Sequence, residues 1–200
     1  EIPLRLVGSE MCIRDRGTHY DLYNKLGAHP MTVDGEEGVY FAVWAPNAEA
    51  VSLVGNFNEW DENATPMERL EPLGIYEIFL PEMKIGDIYK YCVTTKAGYT
   101  ILKADPYGFQ AELRPNNASV IADISDFKWQ DSRWMKKREK FDDKKDPMFV
   151  YEVHPGSWKK HEQTEEDVDG FYNYREMAHE LAKYVKDCLL YTSDAADEGL

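Results

Sequence analysis

Between Val39 and Val120, apolar and polar residues alternate in short runs separated by turn residues, the two-residue period of half-buried strands. GVYFAVWAP sets Val39, Phe41 and Val43 against Tyr40, Ala42 and Trp44, and Pro46 with Asn47 closes it because proline cannot donate to a ladder. AVSLVGNFN supplies the next strand, ending at Gly55. IYEIFLP places Ile75, Glu77 and Phe79 on one face, and IYKYCVTT places Tyr89, Tyr91 and Val93 opposite Ile88, Lys90 and Cys92. Gly86-Asp87 reads as the turn between these two runs. AGYTILKADPYG follows, then a short final strand in SVIAD. Five or six strands of this kind predict a mainly β protein built as a sandwich.

The pattern changes after Ser125. Residues 126–147, containing WQDSRWMKKREKFDDKKDP, are charged with both signs and weakly apolar, which predicts a solvated helical turn or linker between domains. MFVYEVHPGSW then reads as a buried strand ending in a Pro-Gly turn, and the acidic HEQTEEDVDG as a loop. Tyr174, Met177, Ala178, Leu181, Tyr184 and Val185 share one helical face, so residues 148–187 predict a strand, a loop and an amphipathic helix, one β/α unit. The ends differ from everything between them. Residues 1–16 and 188–200 fit neither pattern, resemble translated library-adapter sequence, and are expected to be a non-native leader and tail.

Charge narrows the partners. Lys and Arg number 23 against 37 Asp and Glu, a formal charge of −14. Nucleic acid and anionic membrane surfaces would be repelled, whereas a neutral polysaccharide is indifferent to that field. No apolar run approaches the roughly 20 residues of a spanning helix, and the start lacks a signal pattern, so a cytoplasmic protein is expected. Cys12, Cys92 and Cys188 form no CxxC pair and have no histidine at zinc spacing, so neither metal, cofactor nor disulfide framework is expected.

The run FAVWAPNAEAVSL followed by VGNFNEW resembles the signature of a family 48 carbohydrate-binding module. YNKLGAHP, GDIYKYCV, KADPYGFQAELRPNNASV, VYEVHPGSWKK and YNYREMAHELAKYVKD, in that order between Gly17 and Asp187, are similar to the branching enzymes of glycoside hydrolase family 13. The resemblance implies an immunoglobulin-like β-sandwich over residues 17–125, then the linker, then the first β/α unit of an incomplete (β/α)8 barrel. It also implies α-glucan as partner, together with the rest of the catalytic barrel.

Binding a neutral glucan requires a flat aromatic for the sugar face and polar side chains around it. Trp60, Lys90, Tyr99, Asn116 and Asn117 are suitable types. Carried across from related modules, the site falls on Trp60, Lys90, Tyr99 and Asn117, with Tyr99 a smaller platform than the family's usual tryptophan. Trp60 serves equally well as an anchor for the sandwich edge, Lys90 as a snorkelling lysine, and Trp44 reads as core or interdomain packing.

The family's reaction cuts an α-1,4 bond through a glycosyl-enzyme intermediate, with two carboxyl groups about 5 to 5.5 Å apart, and passes the chain to a 6-hydroxyl. Its catalytic carboxylates come from later barrel strands. Glu152, His154 and the loop acids Glu162, Glu165, Glu166, Asp167 and Asp169 form no such pair, and Pro155 stands where the family usually has leucine. No catalytic residue is assigned to this chain.

Overall fold

In the computed structural model the described residues are 20–142, 144–146, 150–165 and 168–188. The suspected leader and all of the suspected tail beyond Cys188 lie outside them. The chain divides into two compact units, Glu1–Asp126 and Phe127–Leu200.

Among its described residues the first unit holds nine strands: β1 (Gly27–Val33), β2 (Glu36–Trp44), β3 (Ala48–Gly55), β4 (Glu68–Leu70), β5 (Ile75–Leu80), β6 (Ile88–Thr95), β7 (Thr100–Lys103), β8 (Gln110–Ala111) and β9 (Ser119–Val120). They form two antiparallel sheets. One has the order β1-β2-β5-β4; the other runs β3-β6-β9-β8, with β7 also on β6. β3 takes one edge of β6 along Tyr89 to Thr95. The other edge is therefore shared, β9 pairing at Ile88 and Tyr89 and β7 from Tyr91 to Thr94.

Strand parity places the core. Val39, Phe41 and Val43 of β2 and Tyr76 of β5 meet Val51 and Leu53 of β3 and Tyr89 and Tyr91 of β6 between the sheets. Phe41 and Tyr89 pack edge to face at 5.0 Å. Full burial of each such apolar side chain contributes roughly 1.5–3 kcal/mol.

The opposite face of the first sheet is covered as well. Tyr40, Ala42 and Ile75 join Leu26 and Leu73 in a second apolar cluster. Glu77, although on that face as parity requires, is only 1% exposed, and the Tyr40 hydroxyl donates to its carboxylate at 2.8 Å. Trp44 belongs to neither cluster and is 54% exposed, so the expectation of Trp44 as core is corrected. It ends β2, opposite Ile75.

In the second unit the described elements are α1 (Ser132–Arg138), the single turn α2 (Pro155–Trp158) and α3 (Tyr174–Cys188). Asn173 caps α3, its Oδ1 accepting the N–H groups of Arg175 and Glu176 while Glu176 accepts the N–H of Asn173. The expected strand lies partly outside the described residues. Met148 and Phe149 are not among those residues, and residues 150–153 pair with no strand among the described ones. A strand exists only by its ladder partner, and the only bridge described in this unit is Lys160 with Phe171.

Candidate functional site

The outward face of the second sheet buries Ser52, Val54 and Cys92 and leaves Lys90 partly exposed, and its side chains follow from the register of β6. With Tyr89 and Tyr91 turned into the core, Ile88, Lys90 and Cys92 face outward, Lys90 opposite Val54 and Cys92 opposite Ser52.

The turn after β3 is built residue by residue. A Cβ on Gly55 would lie 2.2 Å from the Ile88 carbonyl oxygen, so only glycine lets β3 end this close to β6. Asn58 clamps the loop: its Oδ1 accepts the Gly55 N–H at 3.0 Å, and its amide donates to the Leu53 carbonyl at 2.9 Å and to Thr65 Oγ1 at 3.0 Å. Glu59 and Trp60 then take left-handed backbone angles, φ 56° and 63°. Such a conformation costs each non-glycine residue roughly 1–2 kcal/mol, and here the Asn58 bonds hold it in place.

The consequence is the position of Trp60. Its indole N–H donates to Asn56 Oδ1 at 2.9 Å, and the residue is half-buried, outside both apolar clusters. Lys90 Nζ stands 5.9 Å from the ring centroid and donates to Asn117 Oδ1 at 2.5 Å. Asn117 is presented by a loop closed at Glu112, whose backbone N–H donates to the Ala118 carbonyl and whose carboxylate accepts the Ala118 N–H, both at 3.0 Å. The neighbouring Asn116 instead donates to Glu112 at 3.2 Å.

Tyr99 is placed separately. It sits in the tight β6–β7 hairpin, where the Thr95 N–H and hydroxyl both donate to its carbonyl at 3.0 Å, and it is 60% exposed. No ring contact or hydrogen bond joins its side chain to Trp60, Lys90 or Asn117 among the described residues. Its hairpin is nevertheless tied to the Trp60 loop, because Thr100 Oγ1 donates to Glu62 Oε2 at 2.9 Å.

Glu62, Asn58 and Asn56 escaped the sequence reading. The two asparagines had a signal, polar residues repeated in a turn directly before the tryptophan. Glu62 had none, since its partners come from distant strands. Cys92, 1% exposed beneath this face, has its thiol pKa pushed up by burial and then by the Glu62 charge, the reverse of a nucleophile. Asp105 lies toward the core: Tyr89 and Tyr91 donate to its Oδ2 at 2.6 and 3.1 Å, and its own N–H donates to Ser119 Oγ. In the second unit His154 contacts Ser157 Oγ at 3.0 Å, and Glu152 is exposed. Neither forms a carboxylate pair.

Residues 25–108 match the model of carbohydrate-binding module 48, the isoamylase N-terminal domain. This stretch belongs to that family. The match to the module covers β1 through β7 and includes Trp60, Lys90 and Tyr99; Asn117 lies just beyond it. Similarity continues past the module. The chain is 49% identical over 172 residues to the 1,4-alpha-glucan branching enzyme GlgB of Butyrivibrio fibrisolvens, covering 86% of this chain and 27% of that protein. It is also 49% identical over 168 residues to the enzyme of the same name from Bacillus cereus strain B4264, covering 84% and 25% respectively. The chain thus spans about a quarter of the length of the curated relatives it matches. Among solved structures, ligand-free PulA from Klebsiella pneumoniae is similar with a TM-score of 0.42 and 26% identity, over 50% of this chain and 10% of that one.

Proposed function

We propose that this chain is the glucan-binding part of a 1,4-α-glucan branching enzyme, and that its module holds a linear α-glucan beside the Trp60 turn, where Lys90 of the second sheet is partly exposed. The observation that carries this is the convergence of Trp60, Lys90 and Asn117 from three separate parts of the fold. A pyranose ring lies on the indole, and Lys90 with Asn117 supplies a donor and an amide to its hydroxyls. Tyr99 meets the next part of the chain from the β6–β7 hairpin.

In this reading, cleavage of the α-1,4 bond and transfer to a 6-hydroxyl belong to the barrel of the whole protein, and the module supplies local glucan concentration. The similarity extending beyond residue 108 into the second unit favours a branching enzyme over a free-standing binding module. The negative charge of the chain is compatible with a neutral ligand.

Affinity electrophoresis in gels containing glycogen tests the reading. The chain is expected to be retarded and Trp60→Ala to migrate as in a glycogen-free gel. Equal retardation of both proteins would remove Trp60 from the site.

A further inference from the structure

Beside the Trp60 turn lies a second concavity that the site above does not use. It has a volume of about 310 Å³ and is lined by Asn56, Phe57, Gly86, Asp87 and Ile88. That is at the lower end of the range for small-molecule pockets, roughly 300–1,000 Å³.

Three observations connect it to the Trp60 platform and give it chemistry. Ile88 precedes Lys90 by two residues on the outward face of β6, a separation of about 7 Å along the strand. Asn56 belongs to both places, since its Oδ1 receives the Trp60 indole N–H while the residue lines the pocket. Phe57 is 38% exposed, and its ring carbons would approach a Cβ on Gly55 to 2.7 Å, so the ring lies against the glycine backbone with part of its surface left to solvent.

The polar groups suit a sugar. Asp87 Oδ2 accepts the Lys84 N–H at 2.9 Å, which orients the carboxylate and leaves Oδ1 as an acceptor with no protein partner described. The Asn56 amide nitrogen is a donor in the same condition. A donor, an acceptor and an exposed aromatic are what adjacent hydroxyls and an apolar ring face require. A Cβ on Gly86 would meet nothing within 4 Å, so that side of the pocket is open to a chain passing through.

We infer that this pocket is a second glucosyl subsite, occupied by a further ring of the same α-glucan chain that lies on Trp60. It rests on the glucan reading and adds to it an extended groove along β6, running from Asn117 past Lys90 and Trp60 to Phe57 and Asp87. Short oligosaccharides fill the Trp60 platform alone; longer ones fill both.

Calorimetric titration of the 200-residue chain with maltotriose and maltoheptaose tests the inference. Phe57→Leu keeps an apolar side chain over Gly55 but loses the flat ring, and Asp87→Ala removes the acceptor. Each is expected to weaken maltoheptaose about tenfold, the effect of one lost stacking or hydrogen-bonding contact, with maltotriose unchanged. Trp60→Ala is expected to lose both ligands. If Phe57→Leu and Asp87→Ala bind maltoheptaose as the parent does, or weaken both ligands equally, the subsite is refuted while the Trp60 platform stands. If the parent binds neither ligand, the glucan reading itself falls and the subsite with it.

Discussion

The ammonium group of Lys90 stands 5.9 Å from the centroid of the Trp60 ring while donating to Oδ1 of Asn117. One cation therefore fixes both an aromatic platform and an amide, and its own position is set by the pairing of Lys90 with Val54 across β3 and β6. Removing the charge while keeping the chain length separates these roles. Lys90→Met is expected to lower affinity for maltoheptaose about tenfold, the value of one charged hydrogen bond, with little change in unfolding midpoint. Titration calorimetry reads the first and urea denaturation the second. Unaltered affinity would make Lys90 a scaffold residue only.

Gly55 makes a contrasting case, because its role is steric. With the Ile88 carbonyl 2.2 Å from where a Cβ would go, and that oxygen belonging to the backbone, Gly55→Ala must part the end of β3 from β6. A loss of about 3 kcal/mol is expected, at the upper end for overpacking, with loss of glucan retention as the Trp60 turn opens. Chemical denaturation with parallel retention gels measures both. A variant as stable as the parent would show that the two strands do not approach this closely.

Asp105 is expected to give the protein a measurable pH dependence. Burial raises its carboxyl pKa, against the lowering effect of the Tyr89 hydroxyl, the Tyr107 N–H and the Tyr91 hydroxyl. A group whose pKa is higher folded than unfolded contributes stability that is complete below its unfolded value, near 3.9, and is lost as pH rises through the raised folded value. The stability difference between the parent and Asp105→Asn should therefore shift against the parent across that window. Urea midpoints collected for both proteins over a pH series would show it; a difference constant with pH counts against the assignment.

The two units should differ in resistance to proteolysis. Among the described residues beyond Asp126 only Gly170 and Met177 are buried, and Tyr174, first in the apolar stripe of α3, is 83% exposed. The sandwich, by contrast, buries both faces of its first sheet. Trypsin is expected to cut first around Lys136, Lys137 and Arg138 and leave a resistant fragment containing the nine strands. A resistant core reaching Lys186 would contradict this.

The sandwich was legible where alternation is strong, as in β2, β3, β5 and β6, because burial on one face imposes a period of two on side-chain polarity. β1 was hidden by Gly27 and Pro30, which are tolerated there because β1 is an edge strand of its sheet. β4 and β8, three and two residues long, are too short to show a period. Glu77 gave a misleading signal, since a charged residue on a strand face reads as solvated until the second apolar cluster and the Tyr40 hydroxyl are known.

For the candidate site, sequence suggested residue types and the face of β6. The meeting of Trp60 with Lys90 and of Lys90 with Asn117 depends on register between segments 27 and 30 residues apart, which no local pattern encodes. The same holds for the link from Glu62 to Thr100, which brings the Tyr99 hairpin beside the Trp60 loop.

β6 carries the core on one side, through Tyr89 and Tyr91, and the lysine beside Trp60 on the other. A slip of one residue in its pairing would turn Lys90 inward and the two tyrosines outward, so misfolding and loss of binding would be a single event. Retention on immobilised glycogen would then act as a conformational assay: in a library of variants it would sort correctly registered chains from misregistered ones without any separate measure of structure.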